Sequence, residues 1–344
     1  MTYAAAGVNL DERQRTVARY REVAGAAGRP EVLGGIGPFA GLFALGNKYR
    51  DPVIVSSTDG VGTTTKIAAL VGRYESLGHD IVANCVNDAF TTGAEPLFFL
   101  DYIGSFEMAS DAKVALVKGI ADACSAIGVA LLGGETAEMP GVYPAGEFDL
   151  VGFVVGAVER DSLIDGSKIV AGDRLFALPS NGLHTNGFSL ARRALDLAMV
   201  EDRAVSDRTR LERYEPDLGE SLADAILRPH ICYTSPLKVA LRLIKGMAHI
   251  TGGGLEENVP RMLPGGLGVS MDLSRVPVPP IFPFLQRAGG IETEEMYRVF
   301  NMGAGIVFAV APENAAALGS AVPDAIAVGE VMPFGGNGPR VSWR

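Results

Sequence analysis

Cysteine and unbroken apolar sequence are both scarce in this chain. Its 344 residues contain three cysteines, none of which forms a Cys-x-x-Cys pair. A disulfide framework is therefore excluded, and reduced thiols are typical of cytosolic proteins. Glycines and a proline interrupt the apolar stretch 32–45, and the first eleven residues lack the pattern of a secretory signal. We therefore expect a cytoplasmic protein with no membrane partner.

Positive charge is also in deficit. Lys and Arg total 30 against 40 Asp and Glu, a formal net charge of -10. Because no basic surplus remains to neutralise a phosphate backbone, we expect no nucleic-acid partner. The sequence contains no Walker loop, no Rossmann glycine motif in context, no serine nucleophile elbow and no zinc-ligand spacing. These absences disfavour nicotinamide, serine-hydrolase and zinc chemistry.

The length and the mixture of strand-like and helix-like segments indicate two α+β or α/β domains. At roughly 150 residues per domain, 344 residues correspond to about two. The β-branched run Pro52–Ser57 predicts a strand, and apolar residues at helical spacing predict a helix over Asp111–Ile127. A polar segment, Asp161–Asp173, separates two such patterns. We therefore predict domains over 1–168 and 169–344.

Glycine, in contrast, is abundant, with 43 residues, and it accompanies carboxylates near predicted strand ends. Asp59 and Gly60 close the first strand, Glu135 follows a short strand at Ala130–Leu132, and Asp88 lies in an apolar helical context. Mg²⁺ is commonly held by one or two carboxylates together with substrate phosphates, so the three carboxylates predict a magnesium site. The local alternative for each is a turn residue or a helix cap. Asp88 is the strongest candidate for a metal ligand, because an unpartnered charge on an apolar helix face is costly.

Two loops concentrate groups that bind phosphate or substrate. The backbone N–H groups of a glycine-rich loop can cradle phosphates, although a flexible surface loop is the alternative; its glycines are Gly34, Gly35 and Gly37. The segment 180–187 gathers hydroxyl, amide and imidazole groups before a predicted helix, where they can bind a phosphate ester. His184 in this segment can transfer a proton or orient a substrate, unless it is a surface histidine in a capped turn. The remaining histidines lack partners at ligand spacing, so we expect structural roles for His79, His230 and His249.

Taken in order, these segments resemble one family over nearly the whole chain. The matching blocks are Ala6–Val8, Arg29–Gly37, Thr58–Thr63, Val86–Asp88, Gly93–Tyr102, Gly133–Gly141, Ile164–Gly166, Gly182–Gly187, Thr251–Gly254, Glu257–Pro260 and Glu295–Asn301. They resemble the phosphoribosylformylglycinamidine cyclo-ligases, or AIR synthetases, of purine biosynthesis. Gly-Gly-Glu-Thr-Ala-Glu-Met-Pro-Gly and Ala-Glu-Pro-Leu-Phe are the specific blocks, whereas an isolated Asp-Gly-Val-Gly is not.

The resemblance implies a two-domain α+β fold and an ATP-dependent ligase. It implies an N-terminal mixed α/β domain that forms a homodimer interface, followed by a C-terminal α/β domain. ATP and Mg²⁺ then drive ring closure of formylglycinamidine ribonucleotide, and the products are aminoimidazole ribonucleotide, ADP and phosphate. Phosphoryl transfer depends mostly on positioning and charge neutralisation, which suits a chain without an evident covalent nucleophile.

Carried over residue by residue, the resemblance also implies the site. The metal ligands are Asp59, Asp88 and Glu135. The catalytic residues are His184, Asp59 and Asp88. The groups that bind ATP or its phosphates are Gly34, Gly35, Gly37, Gly60, Gly62 and Thr63, and we add Lys66 as the nearest cation to them in sequence. The substrate-binding residues are Thr185, Asn186 and Gly187.

One departure from the family pattern concerns a phosphate-binding cation. Thr64 stands where the family usually has lysine, and Lys66 follows two positions later. If residues 64–66 are extended, the two side chains point to the same side, and the β-branched threonines favour this conformation. The departure leaves a second hypothesis, a paralogue that binds nucleotide without this turnover or phosphorylates another small substrate.

Overall fold

The computed structural model describes residues 10–35 and 37–344, so Ala6–Val8 and Ile36 lie outside the described residues. The helices are α1 (Leu10–Ala24), α2 (Thr64–Val71), α3 (Glu75–Phe90), α4 (Ser110–Ile127), α5 (Phe188–Ala194), α6 (Ala204–Glu212), α7 (Leu222–Ile226), α8 (Thr234–Leu237), α9 (Gly254–Asn258), α10 (Ile281–Gly289), α11 (Thr293–Val299) and α12 (Ala315–Ala321). The strands are β1 (Pro52–Gly60), β2 (Glu95–Ser105), β3 (Ala130–Glu138), β4 (Phe148–Glu159), β5 (Arg174–Pro179), β6 (Tyr214–Glu215), β7 (Glu220–Ser221), β8 (Ile244–His249), β9 (Leu267–Met271), β10 (Ala304–Val310), β11 (Ile326–Pro333) and β12 (Val341–Trp343).

A mixed sheet organises the first half of the described chain. Its strand order is β1-β4-β2-β3, with β3 parallel to β2 and the other pairs antiparallel. Helices α3 and α4 contact each other through glycines: a Cβ on Gly78 would lie 2.4 Å from the backbone nitrogen of Ile120, and one on Gly119 would lie 2.1 Å from the carbonyl of Glu75. Only glycine permits this close approach of the two helices, and Asp88 lies near the end of α3.

A six-stranded sheet organises the second half of the described chain. Its order is β12-β9-β11-β5-β10-β8, antiparallel except for the β12–β9 pair. All residues of β10 are buried, because two apolar clusters cover the sheet. Strands buried on both faces read as continuous apolar runs, which explains the sequence of β10.

One apolar core joins the two halves. It contains residues of α3 and α4 together with Phe188 of α5, Ile226 of α7 and Phe282 of α10. The predicted α+β fold is therefore confirmed, whereas the domain limit between 168 and 169 stays a prediction. Across residues 10–35 and 37–344, the structure contains no helix with the length and apolarity needed to cross a bilayer.

Three local expectations need correction. Asp59 and Gly60 do not form a turn after β1, because the ladder with β4 continues to the pair Gly60–Val151. Glu135 lies within β3, not after it. Residues 64–66 are helical and not extended, since α2 begins at Thr64 and the tertiary contacts of this helix outweigh the β-branched preference.

Candidate active site

Asp88 and His249 connect the two halves of the chain. Asp88 comes from α3, and its Oδ1 accepts a hydrogen bond of 2.8 Å from Nδ1 of His249, the last residue of β8. The His249 side chain is buried, while 39% of the Asp88 side chain remains exposed. The predicted lone carboxylate on α3 is therefore partnered, and its other oxygen stays available to a ligand.

Three buried histidines form a cluster beside this pair. The rings of His184 and His230 stack with 3.9 Å between their centroids. Nε2 of His230 lies 3.1 Å from Nε2 of His249, and its Nδ1 lies 2.9 Å from Oγ1 of Thr185. Sequence reasoning assigned structural roles to His230 and His249 because neither has a partner at ligand spacing. No local signal could have found the cluster, since its members come from separate elements.

His184 is a neutral hydrogen-bonding group in this setting. Burial, with a contribution from nearby His249, lowers the pKa of His184 to about 3. Nε2 lies 3.0 Å from Oδ1 of Asn181, which fixes the Nε2–H tautomer. The buried Nδ1 has no hydrogen-bond partner among the described residues, and φ of His184 is 58°. Such strain and an unsatisfied acceptor are typical of functional positions.

The remaining residues of the predicted substrate loop face the second glycine-rich turn. Oδ1 of Asn186 accepts a hydrogen bond of 2.9 Å from the backbone N–H of Gly252. Nδ2 of Asn186 is buried and has no hydrogen-bond partner within the described residues. Gly187 has φ of 77° and directly precedes α5. Thr185 therefore contacts the histidine cluster, whereas Asn186 contacts the glycine-rich turn at Gly252.

Asp59, at the end of β1, contacts α3, and the loop that follows it contacts α5 of the second half. Its Oδ2 accepts from Nδ2 of Asn84 at 2.7 Å, and its Oδ1 accepts from the N–H of Gly60, also at 2.7 Å. Beyond Gly62, which has φ of 62°, Oγ1 of Thr63 lies 3.3 Å from Oγ of Ser189 on α5. The loop after β1 thus reaches the helix that follows the substrate loop.

A cavity of about 1100 Å³ lies beside the glycine-rich loop. Its lining includes Gly35, Gly37, Asp101, Lys113 and Glu135. Burial raises the pKa of Asp101 to about 7, and the charge of Glu135 adds to this effect. The cavity therefore combines backbone N–H groups, carboxyl groups and a cation, which are the groups that bind a nucleotide and its metal.

The predicted metal ligands do not converge within one chain. Asp59 and Glu135 lie on the two edge strands of the first sheet, about 14 Å apart at usual strand spacing. They also occupy opposite faces, because Asp59 shares a row with Gly134 whereas Glu135 is the next residue. In the described part of the chain, no three His, Cys, Asp or Glu residues are placed to hold one metal ion. The magnesium ligands stay a prediction.

Comparisons with known proteins agree with this architecture. Residues 41–158 match the family described as AIR synthase related protein, N-terminal domain, and residues 170–341 match the corresponding C-terminal domain. Curated phosphoribosylformylglycinamidine cyclo-ligases are similar to the chain. That of Aromatoleum aromaticum is 48% identical, covering 96% of this chain and 92% of the relative, and that of Geobacillus kaustophilus is 51% identical, covering 92% and 90%. The chain belongs to the phosphoribosylformylglycinamidine cyclo-ligase family.

Solved structures show that the fold is shared beyond this cyclo-ligase family. A thiamine-monophosphate kinase from Stenotrophomonas maltophilia has a TM-score of 0.66 at 19% identity, covering 96% of this chain and 94% of its own. HypE of E. coli has a TM-score of 0.63 at 18% identity, covering 96% and 93%. At this identity the likeness concerns the fold alone. The sequence resemblance to the cyclo-ligases is confirmed by the curated relatives and the two family matches.

Lys66, the cation that follows the departure at Thr64, forms an ion pair in the structure. Nζ of Lys66 lies 2.7 Å from Oε1 of Glu147, and Thr64 is fully buried. Because both lie on α2, their side chains are about 200° apart around the helix axis, so Lys66 does not occupy the position of a lysine at residue 64. Phosphate binding by Lys66 stays a prediction, and the extended conformation that would have supported it is absent from residues 64–66.

Proposed function

We propose that the chain catalyses ATP-dependent closure of formylglycinamidine ribonucleotide to aminoimidazole ribonucleotide, a step of purine biosynthesis. The observation that carries this proposal is the family identity at about half of all positions over more than nine tenths of the chain. The clustering of His184, Thr185 and Asn186 at the junction with Asp88 supports a substrate site there.

The chemistry requires one phosphoryl transfer and one ring closure. The formyl oxygen of the substrate attacks the γ-phosphorus of ATP, and ADP leaves. The ribose-bearing amidine nitrogen then attacks the activated carbon. The C–O bond breaks, phosphate leaves, and a nitrogen loses one proton. Neutral His184, with its free Nδ1 acceptor, is suited to orient an N–H or O–H group of the substrate during this sequence.

We propose that ATP occupies the cavity beside Gly35 and Gly37. One solved structure of the shared fold is titled as HypE in complex with ATP, which supports nucleotide binding by this architecture. Asp59, Asp88 and Glu135 stay the proposed Mg²⁺ ligands, but not of one ion within one chain, because Asp59 and Glu135 lie on opposite edge strands and opposite faces of the first sheet. A bound Mg²⁺ would neutralise phosphate charge. The proposed nucleotide-binding residues also include Gly34, Gly60, Gly62, Thr63 and Lys66. Gly187 is the last of the proposed substrate-binding residues.

We also propose a cytoplasmic homodimer, formed through the outer face of the first sheet. This face is the one opposite α3 and α4. It includes two cross-strand pairs of β4 and β2, Phe153 with Leu100 and Val155 with Phe98. Phe153 is 37% exposed and Ile54 is 57% exposed. Large apolar side chains that remain exposed on one sheet face support an interface there.

ADP release by the purified protein tests the proposed function. ATP is supplied with and without formylglycinamidine ribonucleotide, and aminoimidazole ribonucleotide is measured in parallel. Ribonucleotide-dependent release of ADP in equal amount to the product is the expected result. ATP binding without turnover would favour the non-catalytic paralogue, and ADP release only with another acceptor would favour a kinase.

A further inference from the structure

Arg192, in the middle of α5, is a half-buried arginine whose side chain has no partner in the described part of the chain. Its Nε is shielded from solvent and has no hydrogen bond, whereas its terminal nitrogens are not enclosed in this way. A buried N–H group without an acceptor costs free energy, and such groups in folded proteins are typical of sites that bind a ligand or an ion. The guanidinium therefore has unused donors that suit a bound anion.

The other partly shielded cations show that this arrangement is exceptional among the described residues. Those paired with carboxylates are Arg29, Lys66, Lys113, Arg203, Arg228 and Lys245. Arg340, which is also half-buried, donates to backbone carbonyls. Carboxylates are plentiful in a chain with a formal net charge of -10, yet none of the described ones forms an ion pair with Arg192. An anion from outside the chain is therefore the partner that this guanidinium suits.

Helix α5 places Arg192 beside the loop that follows β1. Ser189 lies one turn before Arg192 on the same side of this helix, a spacing that separates Cβ atoms by about 5–6 Å. Oγ of Ser189 lies 3.3 Å from Oγ1 of Thr63 in that loop. The Cα–Cβ bonds of a helix tilt toward its N-terminus, which directs the Arg192 stem toward Ser189 and the substrate loop that ends at Gly187. Arg192 therefore lies where the proposed nucleotide-binding and substrate-binding loops meet.

Phosphate is the anion that fits this position. The planar fork of an arginine binds phosphate oxygens through two parallel N–H groups, and hydroxyl groups donate to the same oxygens. Thr63 and Ser189 supply two hydroxyl groups near the guanidinium. A carboxylate of a second chain is disfavoured, because Ala191 beside Arg192 packs into the core that contains α3 and α4, and the proposed dimer face is the opposite one.

We infer that Arg192 binds a phosphate group of a ligand at the junction between the two halves, through its terminal nitrogens. The inference rests on the proposed function for the identity of that ligand, which is the ribonucleotide through its 5′-phosphate or ATP through its triphosphate. Both present the same chemistry, a phosphate oxygen that accepts from the guanidinium. Arg192 is a binding residue and not a proton-transfer group, because a guanidinium stays protonated.

Isothermal titration calorimetry tests the inference with formylglycinamidine ribonucleotide and ATP in separate titrations. Arg192→Gln removes the charge and the fork, and loss of a charged hydrogen bond predicts about 10- to 100-fold weaker binding of one ligand. Arg193→Gln is the matched control, since it removes the same charge from the next residue of α5, which is exposed. Because exposed charges contribute little, the control should change neither affinity by more than about twofold. Unchanged affinities of Arg192→Gln for both ligands would overturn the inference.

Ligands without phosphate identify which phosphate is bound. If Arg192→Gln weakens binding of the ribonucleotide, it should bind the corresponding ribonucleoside as tightly as the wild-type protein does, and adenosine gives the equivalent comparison for ATP. Selective weakening of the ribonucleotide assigns the 5′-phosphate, and selective weakening of ATP assigns the triphosphate. Equal weakening with and without the phosphate would show that Arg192 contacts another part of the ligand, and would overturn the phosphate assignment.

Thermal unfolding without ligand separates binding from a structural role. Arg192→Met keeps the apolar length of the side chain but removes the charge and the unsatisfied Nε. Because no partner loses a hydrogen bond, the melting temperature of the ligand-free variant should equal or exceed that of the wild-type protein. Saturating ligand should then raise the melting temperature of the variant less than that of the wild type. A clear fall of the ligand-free value would assign Arg192 to the stability of the fold and overturn the inference.

These outcomes are distinguishable from failure of the proposed function. If Arg192→Gln loses phosphate-dependent affinity but the wild-type protein releases no ADP with the ribonucleotide, the proposed function fails while the phosphate site stands. If the wild-type protein turns over, and Arg192→Gln turns over equally fast at ligand concentrations below KM, the phosphate site fails while the proposed function stands.

Discussion

At the scale of single residues, burial changes which form of a side chain is stable. Burial raises the pKa of Asp80 to about 8 and lowers that of His184 to about 3. Both shifts favour the uncharged form, because a buried charge loses its hydration. The buried groups near the junction therefore act as hydrogen-bonding partners, while the side chains of Asp59 and Asp88 are more exposed.

Replacing His184 should impair the substrate step more than nucleotide binding. For His184→Ala we expect a loss of about 10²-fold in kcat/KM for the ribonucleotide, since a positioned acceptor is removed. Calorimetry should show ATP affinity within about twofold of wild type. Loss of ATP affinity together with ribonucleotide affinity would contradict this division between the two loops.

Removing the charge of Asp88 should reduce turnover and retain the fold. Asp88→Asn keeps an oxygen that accepts a hydrogen bond from His249, but it weakens the binding of a cation at the other carboxylate oxygen. We expect turnover to fall about 10- to 100-fold, with a higher Mg²⁺ requirement and an unchanged melting temperature. ADP release titrated with Mg²⁺ measures both effects, and near wild-type activity at low Mg²⁺ would exclude the metal role.

Asp80 should make the protein less stable as the pH rises. Its pKa of about 8 in the folded state exceeds the unfolded value near 3.9, so the folded state binds more protons between these values. The free energy of unfolding therefore falls as pH rises from about 4 to about 8. Asp80→Asn, which retains an acceptor for the N–H of His230, should be more stable than wild type by at least about 1 kcal/mol at pH 8.

Urea unfolding of both proteins at pH 5 and pH 8 provides the measurement. The stability advantage of Asp80→Asn should be larger at pH 8 than at pH 5. An advantage that is equal at the two values would show that Asp80 does not titrate in this range.

At the scale of elements, one glycine connects the substrate loop to α5. Gly187 has φ of 77°, and a Cβ on it would lie 2.2 Å from Cε1 of Phe300. The left-handed conformation and the tight contact both require glycine. The ring of Phe300 is thereby packed directly against the end of the loop that carries His184.

Gly187→Ala should therefore destabilise the protein and displace the loop. We expect a loss of about 2–5 kcal/mol, the sum of backbone strain and overpacking, measured by urea unfolding. Gly319→Ala is the matched control, because Gly319 lies inside α12 with nothing within 4 Å of its added Cβ. That control should gain up to about 1 kcal/mol from helix propensity. Equal effects of the two substitutions would contradict the packing argument.

At the scale of the whole molecule, the two sheets differ in how they are covered. Apolar clusters lie on the sheet of the C-terminal half, whereas the outer face of the first sheet leaves Ile54 and Phe153 exposed. An uncovered apolar face in the described structure of one chain is consistent with the proposed homodimer.

Charge placed on that face should separate the dimer. Phe153→Glu would bury a carboxylate in the interface, at a cost of several kcal/mol, so we expect the solution mass to fall to that of one chain. Val205→Glu is the control, because Val205 is 81% exposed on α6, away from the first sheet. Sedimentation velocity measures the mass. An unchanged mass for Phe153→Glu would show that this face is not the interface.

Local sequence patterns predicted those features that depend on near neighbours in the chain. The β-branched run after Pro52 became β1, and the apolar periodicity after Asp111 became α4, because alternation and helical spacing depend on local geometry. The ordered motif blocks identified the family, which the relatives confirm. The start of α2 at Thr64 was missed, because tertiary packing overrode local preference.

The amino-acid sequence alone determined the fold class and the family of this protein, and it predicted the loops of the candidate site. Tertiary structure decided which side chains meet: Asp88 and His249 touch across 161 positions of sequence, while Glu135 lies away from Asp59 at the opposite edge of the sheet. Such contacts depend on how α3, β3 and β8 pack, and spacing along the chain carries no record of that packing. Burial at the junction then determined the neutral state of His184, which its residue type alone leaves free to titrate near neutral pH.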